Sequence, residues 1–182
     1  ETACSCSGEH GYMPNTGYAS LREALAKKVG EEQGVTASAD DIIVTCGAAG
    51  GLNSLFRAVL EPGDEVLCPA PFFVEYVFYA DNHQGVLKTV PCKGDDFSLD
   101  VEAMAEAIGP KTRVVLINSP NNPTGRIYSK AEIQALAQML RDKSQGDKPI
   151  LLVSDEPYRF LAYDGVEVPS ILPEYEYSIV IS

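Results

Sequence analysis

Short apolar runs alternate along this chain with segments whose apolar residues recur every three or four positions. That rhythm constrains the fold more than any other feature. The runs 41–45, 65–68, 86–90, 113–117, 150–153 and 178–181 read as strands, several of them apolar on consecutive residues and so buried on both faces. Between them, residues 18–29 carry Leu21, Leu25 and Val29 on one helical face and end near Gly30. Leu52, Leu55, Phe56 and Val59 mark a second helix, closed by Pro62-Gly63. Residues 73–81 form a third, and residues 99–108 a fourth with Asp100 as its cap. Ser129 caps a fifth through Ile133, Leu136, Ala137 and Leu140, with Glu132 at the capping-box position. Strands alternating with helices predict an α/β fold: a mostly parallel sheet with helices on both faces. Residues 1–17 are rich in Gly, Ser, Cys and Pro and read as an irregular segment; residues 18–182 read as one domain.

Charge narrows the partners. The chain has 26 acidic and 14 basic residues, a net charge of -12, spread along its length. Such a surface repels phosphate backbones, which argues against nucleic acid. No apolar run is long enough for a membrane span and no signal peptide is present, which points to the cytoplasm. The five cysteines, Cys4, Cys6, Cys46, Cys68 and Cys92, are odd in number and irregular in spacing. Cys4-Ser5-Cys6 lacks metal spacing, so no metal site is expected. Cys46, Cys68 and Cys92 sit at predicted strand ends as small buried hydrophobes, and all five are expected to be reduced thiols.

In a parallel sheet, ligands bind at the carboxyl ends of the strands. Four segments occupy those positions. In Thr45-Cys46-Gly47-Ala48-Ala49-Gly50-Gly51, small side chains let a phosphate approach backbone amides at a helix N-terminus, though a tight strand-to-helix turn needs the same residues. The second is Pro69-Ala70-Pro71-Phe72-Phe73. In Asn118-Ser119-Pro120-Asn121-Asn122-Pro123-Thr124-Gly125, prolines and a glycine hold an irregular backbone and Asn122 offers an amide above the strand ends. In Ser154-Asp155-Glu156-Pro157-Tyr158, an acid ends an apolar strand, where it is costly without a positive partner, and Tyr158 follows three residues later. Taken alone, Asp155 reads equally well as a helix cap.

Together these segments resemble the class I/II aminotransferases, the pyridoxal-phosphate (PLP) enzymes of fold type I. The resemblance covers residues 12 to 182, and the Asn-Pro-Thr-Gly and Asp-x-x-Tyr pieces are its most specific parts. It implies that Asp155 pairs with the pyridine nitrogen of pyridoxal 5'-phosphate, and that Asn122 and Tyr158 hydrogen-bond the ring's phenolic oxygen. It implies that Phe73, with Phe72 as the alternative, stacks on the ring, and that the amides of Ala48 and Ala49 hold the phosphate. Tyr12, in Tyr12-Met13-Pro14-Asn15-Thr16-Gly17, is similar to a tyrosine that reaches the phosphate of a neighbouring subunit, which implies a homodimer; a surface aromatic in a loop is the other reading.

The same resemblance implies a Schiff-base lysine just after the strand that ends Ile179-Val180-Ile181-Ser182. None of Lys27, Lys28, Lys88, Lys93, Lys111, Lys130, Lys143 and Lys148 has that context, and the family's small carboxyl-terminal domain and its substrate-binding arginine are missing too. The chain is therefore expected to be a partial large domain with no catalytic residue of its own and little activity alone. The implied reaction moves an amino group between an L-amino acid and a 2-oxo acid. A PLP lyase of the same fold shares the cofactor residues, and a non-catalytic aminotransferase-like ligand-binding domain is a further alternative. The residues do not distinguish the amino-acid substrate.

Overall fold

The computed structural model describes residues 11–144 and 148–182. They fall into two compact units, one up to Thr45 and one from Cys46 to Ser182. Cys4 and Cys6 lie outside the described residues.

In the first unit, helix α1 spans Ala19–Gln33 and a 3-10 turn spans Ala39–Asp41. Sequence reading ends this helix near Gly30, yet it continues for another turn. Gly30 serves close approach instead: a Cβ there would lie 2.9 Å from the Val35 carbonyl oxygen, and the Gly30 carbonyl accepts the amides of both Gly34 and Val35. The expected buried strand at 41–45 is absent. Asp41 closes the 3-10 turn, residues 42–45 join no ladder among the described residues, and Ile43 is 67% exposed. An apolar run becomes a strand only when a neighbour supplies the ladder hydrogen bonds, and here Val44 N–H meets only the carbonyl of Thr16.

The second unit opens with α2, Gly47–Val59, followed by β1, Glu65–Ala70. Next come α3, Glu75–Asp81, and β2, Val86–Pro91. Then follow α4, Val101–Ala107, β3, Thr112–Asn118, and α5, Lys130–Lys143. Strand β4, Leu151–Asp155, leads through a 3-10 turn at Arg159–Leu161 to β5, Ser178–Ile181. All strand pairs are parallel, in the order β2-β1-β3-β4-β5. The predicted mostly parallel sheet is therefore the observed one. Helix α3 starts at Glu75, two residues later than expected, which leaves Phe73 in the connection from β1.

The period of two along each strand builds two cores. Val66, Cys68, Val114, Leu116 and Val153 face Leu52 and Phe56 of α2 and Tyr76 and Ala80 of α3. Leu67, Val115, Ile117 and Leu152 face Met104 of α4, and Ile133, Leu136 and Leu140 of α5. Each such fully buried aliphatic side chain is worth roughly 1.5–3 kcal/mol. The layering follows from handedness. The step from β1 to β2 runs one way across the sheet, and those from β2 to β3 and β3 to β4 run the other way. Right-handed crossovers then place α3 on one face and α4 and α5 on the opposite face. Among the described residues no helix is long and apolar enough to cross a membrane.

Two caps form as their residue types dictate. The Asp100 side chain accepts the Ala103 amide at 2.9 Å. Ser129 and Glu132 form a reciprocal capping box on α5, and Glu132 also accepts the Leu99 amide at 3.0 Å and pairs with Arg126 at 3.2 Å. Of the cysteines, Cys68 is buried and Cys92 half-buried, but Cys46 is exposed, contrary to expectation. It precedes α2 from a segment that is not a strand, so no second sheet face covers it. We predict that Ser129→Ala costs about 1 kcal/mol of unfolding free energy, as for loss of one cap. Glu132→Ala costs more, because it also strands the Leu99 amide and the Arg126 guanidinium. Urea unfolding of the two variants checks the order.

Candidate functional site

Strand order reverses between β1 and β3, which opens a crevice at their carboxyl ends. Around it lie the ends of β1, β3 and β4. Helix α2 packs on the same face as α3 and runs into β1, so its N-terminus returns to this end of the sheet after about 20 Å.

Asp155 is the last residue of β4, on the same strand face as Val153, and only 5% exposed. Its Oδ2 accepts the Tyr76 hydroxyl at 2.5 Å. Its Oδ1 is buried and has no hydrogen-bond partner among the described residues. Burial, first, pushes the Asp155 carboxyl above the ordinary carboxylate range; the Tyr76 hydrogen bond pulls it back and the Glu156 charge adds to the rise. The Tyr76 hydroxyl is itself pushed far up, by burial and then by the charge of Asp155, so it remains a donor.

Asn118 ends β3 and ties two expected site segments together. Its Nδ2 donates to the Asp155 carbonyl at 2.8 Å, and its Oδ1 accepts the Asn122 amide at 2.6 Å. Asn121 holds the loop shape: Nδ2 donates to the Pro71 carbonyl at 3.3 Å, and Oδ1 accepts the amide and hydroxyl of Thr124. Asn122 is then free to reach Tyr158, its Nδ2 donating to the phenol oxygen at 3.4 Å. The Phe73 ring meets Tyr76 edge-on, with centroids 5.6 Å apart at 84°. Phe72 packs with the same apolar cluster.

At α2, Ala48 and Ala49 occupy the first turn. Cys46 gives no side-chain cap, and that turn carries no acidic residue. A helix end left this way suits an anion. Tyr12 belongs to the unit up to Thr45, where it is fully exposed.

The structure thus links Phe73, Asp155, Asn122 and Tyr158 through Tyr76 and Asn118, neither of which sequence reading singles out as a site residue. Tyr76 is signalled only by its place three residues after Phe73. Asn118 is signalled by its position at a strand end. Glu156 is a third omission. It is 1% exposed, accepts Ser154 Oγ at 2.8 Å and pairs with Arg159 at 2.8 Å, and Arg159 donates to the Val168 carbonyl at 2.6 Å. That pair braces the turn carrying Tyr158.

Five of the six lysines of this unit are paired with acids away from Asp155. Lys88 pairs with Glu65, Lys93 with Asp100, Lys111 with Asp64, Lys130 with Glu174 and Lys148 with Glu61, while Lys143 is exposed in the last turn of α5.

A carboxyl raised by burial binds its proton more readily in the folded chain, so stability is fully present on the acid side and falls as pH rises past the ordinary aspartate value. Asp155→Asn keeps an acceptor for Tyr76 and removes the charge. We predict that it stabilises the chain at pH about 7 by about 1 kcal/mol, or 2–4 °C in Tm. The gain shrinks towards pH about 4. Thermal melts at several pH values check both points, and a loss of stability at neutral pH would contradict them.

The family model for class I and II aminotransferases matches residues 2–181. The aspartate/prephenate aminotransferase of Thermus thermophilus is 40% identical over 161 residues, which is 87% of this chain and 40% of that protein. A probable aspartate aminotransferase of Methanocaldococcus jannaschii is 36% identical over 157 residues, 86% of this chain and 40% of its own length. Among solved structures, an aminotransferase from Eubacterium rectale superimposes with a TM-score of 0.92 at 35% identity, covering 98% of this chain and 46% of that one. The Thermus thermophilus aspartate aminotransferase with maleate gives 0.84 at 37% identity, covering 93% and 44%. The chain thus spans about two-fifths of the length of these curated relatives.

Proposed function

The chain belongs to the class I and II aminotransferase family, and from that premise we propose that its Cys46–Ser182 unit is a pyridoxal-phosphate-binding half-site of an amino-acid aminotransferase. The observation that carries the reading is Asp155. One of its oxygens is satisfied and the other is buried and without a partner among the described residues, at a strand end tied through Asn118 to the Asn122–Tyr158 pair. A buried acceptor in that state fits a protonated ring nitrogen, which supplies both a donor and a compensating charge.

Each residue then has a task. Asp155 accepts the ring N–H, and its charge keeps that proton in place. Asn122 and Tyr158 hydrogen-bond the phenolic oxygen and favour its anionic form. Phe73 covers one face of the ring. The amides of Ala48 and Ala49, at the positive end of α2, hold the phosphate. When bound, the cofactor supplies an electron-withdrawing ring that takes up charge developing at the substrate α-carbon. The proposed reaction exchanges an amino group between an L-amino acid and a 2-oxo acid, in the cytoplasm. Aspartate is the first donor to test, because several relatives carry it in their names. The proposal extends to a homodimer of the whole protein, in which Tyr12 reaches the phosphate bound by its neighbour.

Two outcomes test this. Titrating the purified chain with pyridoxal phosphate, followed by absorbance and fluorescence, is expected to show saturable binding. Ala49→Asp places a charge against the phosphate without harming the helix, since an acid in a first turn stabilises it. It should weaken pyridoxal phosphate about tenfold and leave the phosphate-free aldehyde unaffected. The proposal also expects the chain alone to give little or no transamination of aspartate with 2-oxoglutarate, because no lysine of the unit is placed beside Asp155. Loss of that general base or nucleophile lowers rates by about 10²–10⁴ or more. Steady turnover by a mass-verified chain would sink that expectation.

A further inference from the structure

Tyr76 is wholly buried, and its hydroxyl has one acceptor, Asp155 Oδ2, at 2.5 Å. Its ring is gripped by Phe73 edge-on at 5.6 Å and by Tyr79 at 6.3 Å. A tyrosine ring held on two sides directs its O–H along one line, because the side chain has only two rotatable bonds besides the hydroxyl. Two other buried donors lie close to the carboxylate, and both are directed elsewhere. The Asn118 amide donates to the Asp155 backbone carbonyl, and the Cys68 thiol to the Pro69 carbonyl at 3.5 Å. Oδ1 is left as a buried acceptor with no donor among the described residues.

We infer that Tyr76 is a positioning residue: by occupying Oδ2 it reserves Oδ1 of Asp155 for a protonated ring nitrogen, and so makes the site discriminate a cationic nitrogen heterocycle from an uncharged ring of the same shape. This rests on the cofactor reading above and adds the source of its selectivity. A carbocyclic ring offers only a C–H to Oδ1 and leaves a buried charge without a partner, which is the expensive case. Without the Tyr76 hydroxyl, the carboxylate has no anchor on either oxygen. It can turn, or take up a proton itself and become neutral, and in both cases the advantage of a cationic ring is lost.

The test uses the 182-residue chain and two probes, pyridoxal phosphate and its deaza analogue with C–H in place of the ring nitrogen. The wild type is expected to prefer pyridoxal phosphate by about tenfold or more. Asp155→Ala should abolish the preference. Tyr76→Phe should cut it by about fivefold or more, with the affinity of the deaza analogue unchanged. A role confined to packing would weaken both probes alike and leave their ratio intact, which overturns the inference. If the wild type binds neither probe, or Asp155→Ala keeps the preference, the cofactor reading fails and the inference falls with it. If only Tyr76→Phe keeps it, the inference alone fails. Should Tyr76→Phe not fold, NMR of the wild type with labelled tyrosine decides. A slowly exchanging Tyr76 hydroxyl proton that shifts on adding pyridoxal phosphate, and not the analogue, supports the inference; its absence overturns it.

Discussion

A carboxylate held nearly out of water at the end of a parallel strand sets the terms for everything around it. Asp155 inherits its burial from the alternation of β4: Val153 belongs to the α2–α3 core, and two residues later the same face carries an acid. The fold answers half of the resulting electrostatic demand with the Tyr76 hydroxyl. The other half stays open, and that imbalance is what gives the sheet end a chemical direction rather than mere shape.

The surrounding loops have irregular backbones, so their side chains would be poorly placed if the loops stood alone. They are instead sewn together by asparagines. Asn118 connects the end of β3 to the end of β4, and Asn121 connects the β3 loop to the β1 loop at Pro71. These amides do for the strand ends what the ladder does for the strands. They satisfy backbone groups while fixing separations between the side chains of the candidate site. The Glu156–Arg159 pair does the same for the turn that carries Tyr158.

Much of this was legible before any coordinates. Ser129 with Glu132, and Asp100 with the helix that follows it, form caps through contacts three residues apart, which local chemistry alone specifies. Strands β3 and β4 were readable because consecutive apolar residues have few soluble alternatives to a doubly covered sheet, whereas the edge strand β2, with Lys88 and Thr89 in it, was readable only from its place in the strand-helix alternation. The 41–45 run shows where that reasoning stops. Its composition is strand-like, but pairing is a property of two segments, and no neighbour accepts it among the described residues. Phe73, Asn122, Asp155 and Tyr158 stand out as candidates because strand ends and short motifs mark them, and the structure links them, whereas Tyr76 looks like any other apolar position on a short helix.

The amino-acid order therefore carried the helices, the caps, the paired strands of the parallel sheet and the placing of Phe73, Asn122, Asp155 and Tyr158 just after or at strand ends, since each depends on neighbours within a few positions. Which oxygen of Asp155 is spoken for, which asparagine ties which loop, and whether an apolar run finds a partner all depend on groups far apart in the chain; Tyr76 and Asp155 are 79 residues from each other. Distances of that kind exist only after the two cores have packed, because packing is what converts helical and strand faces into fixed positions in space.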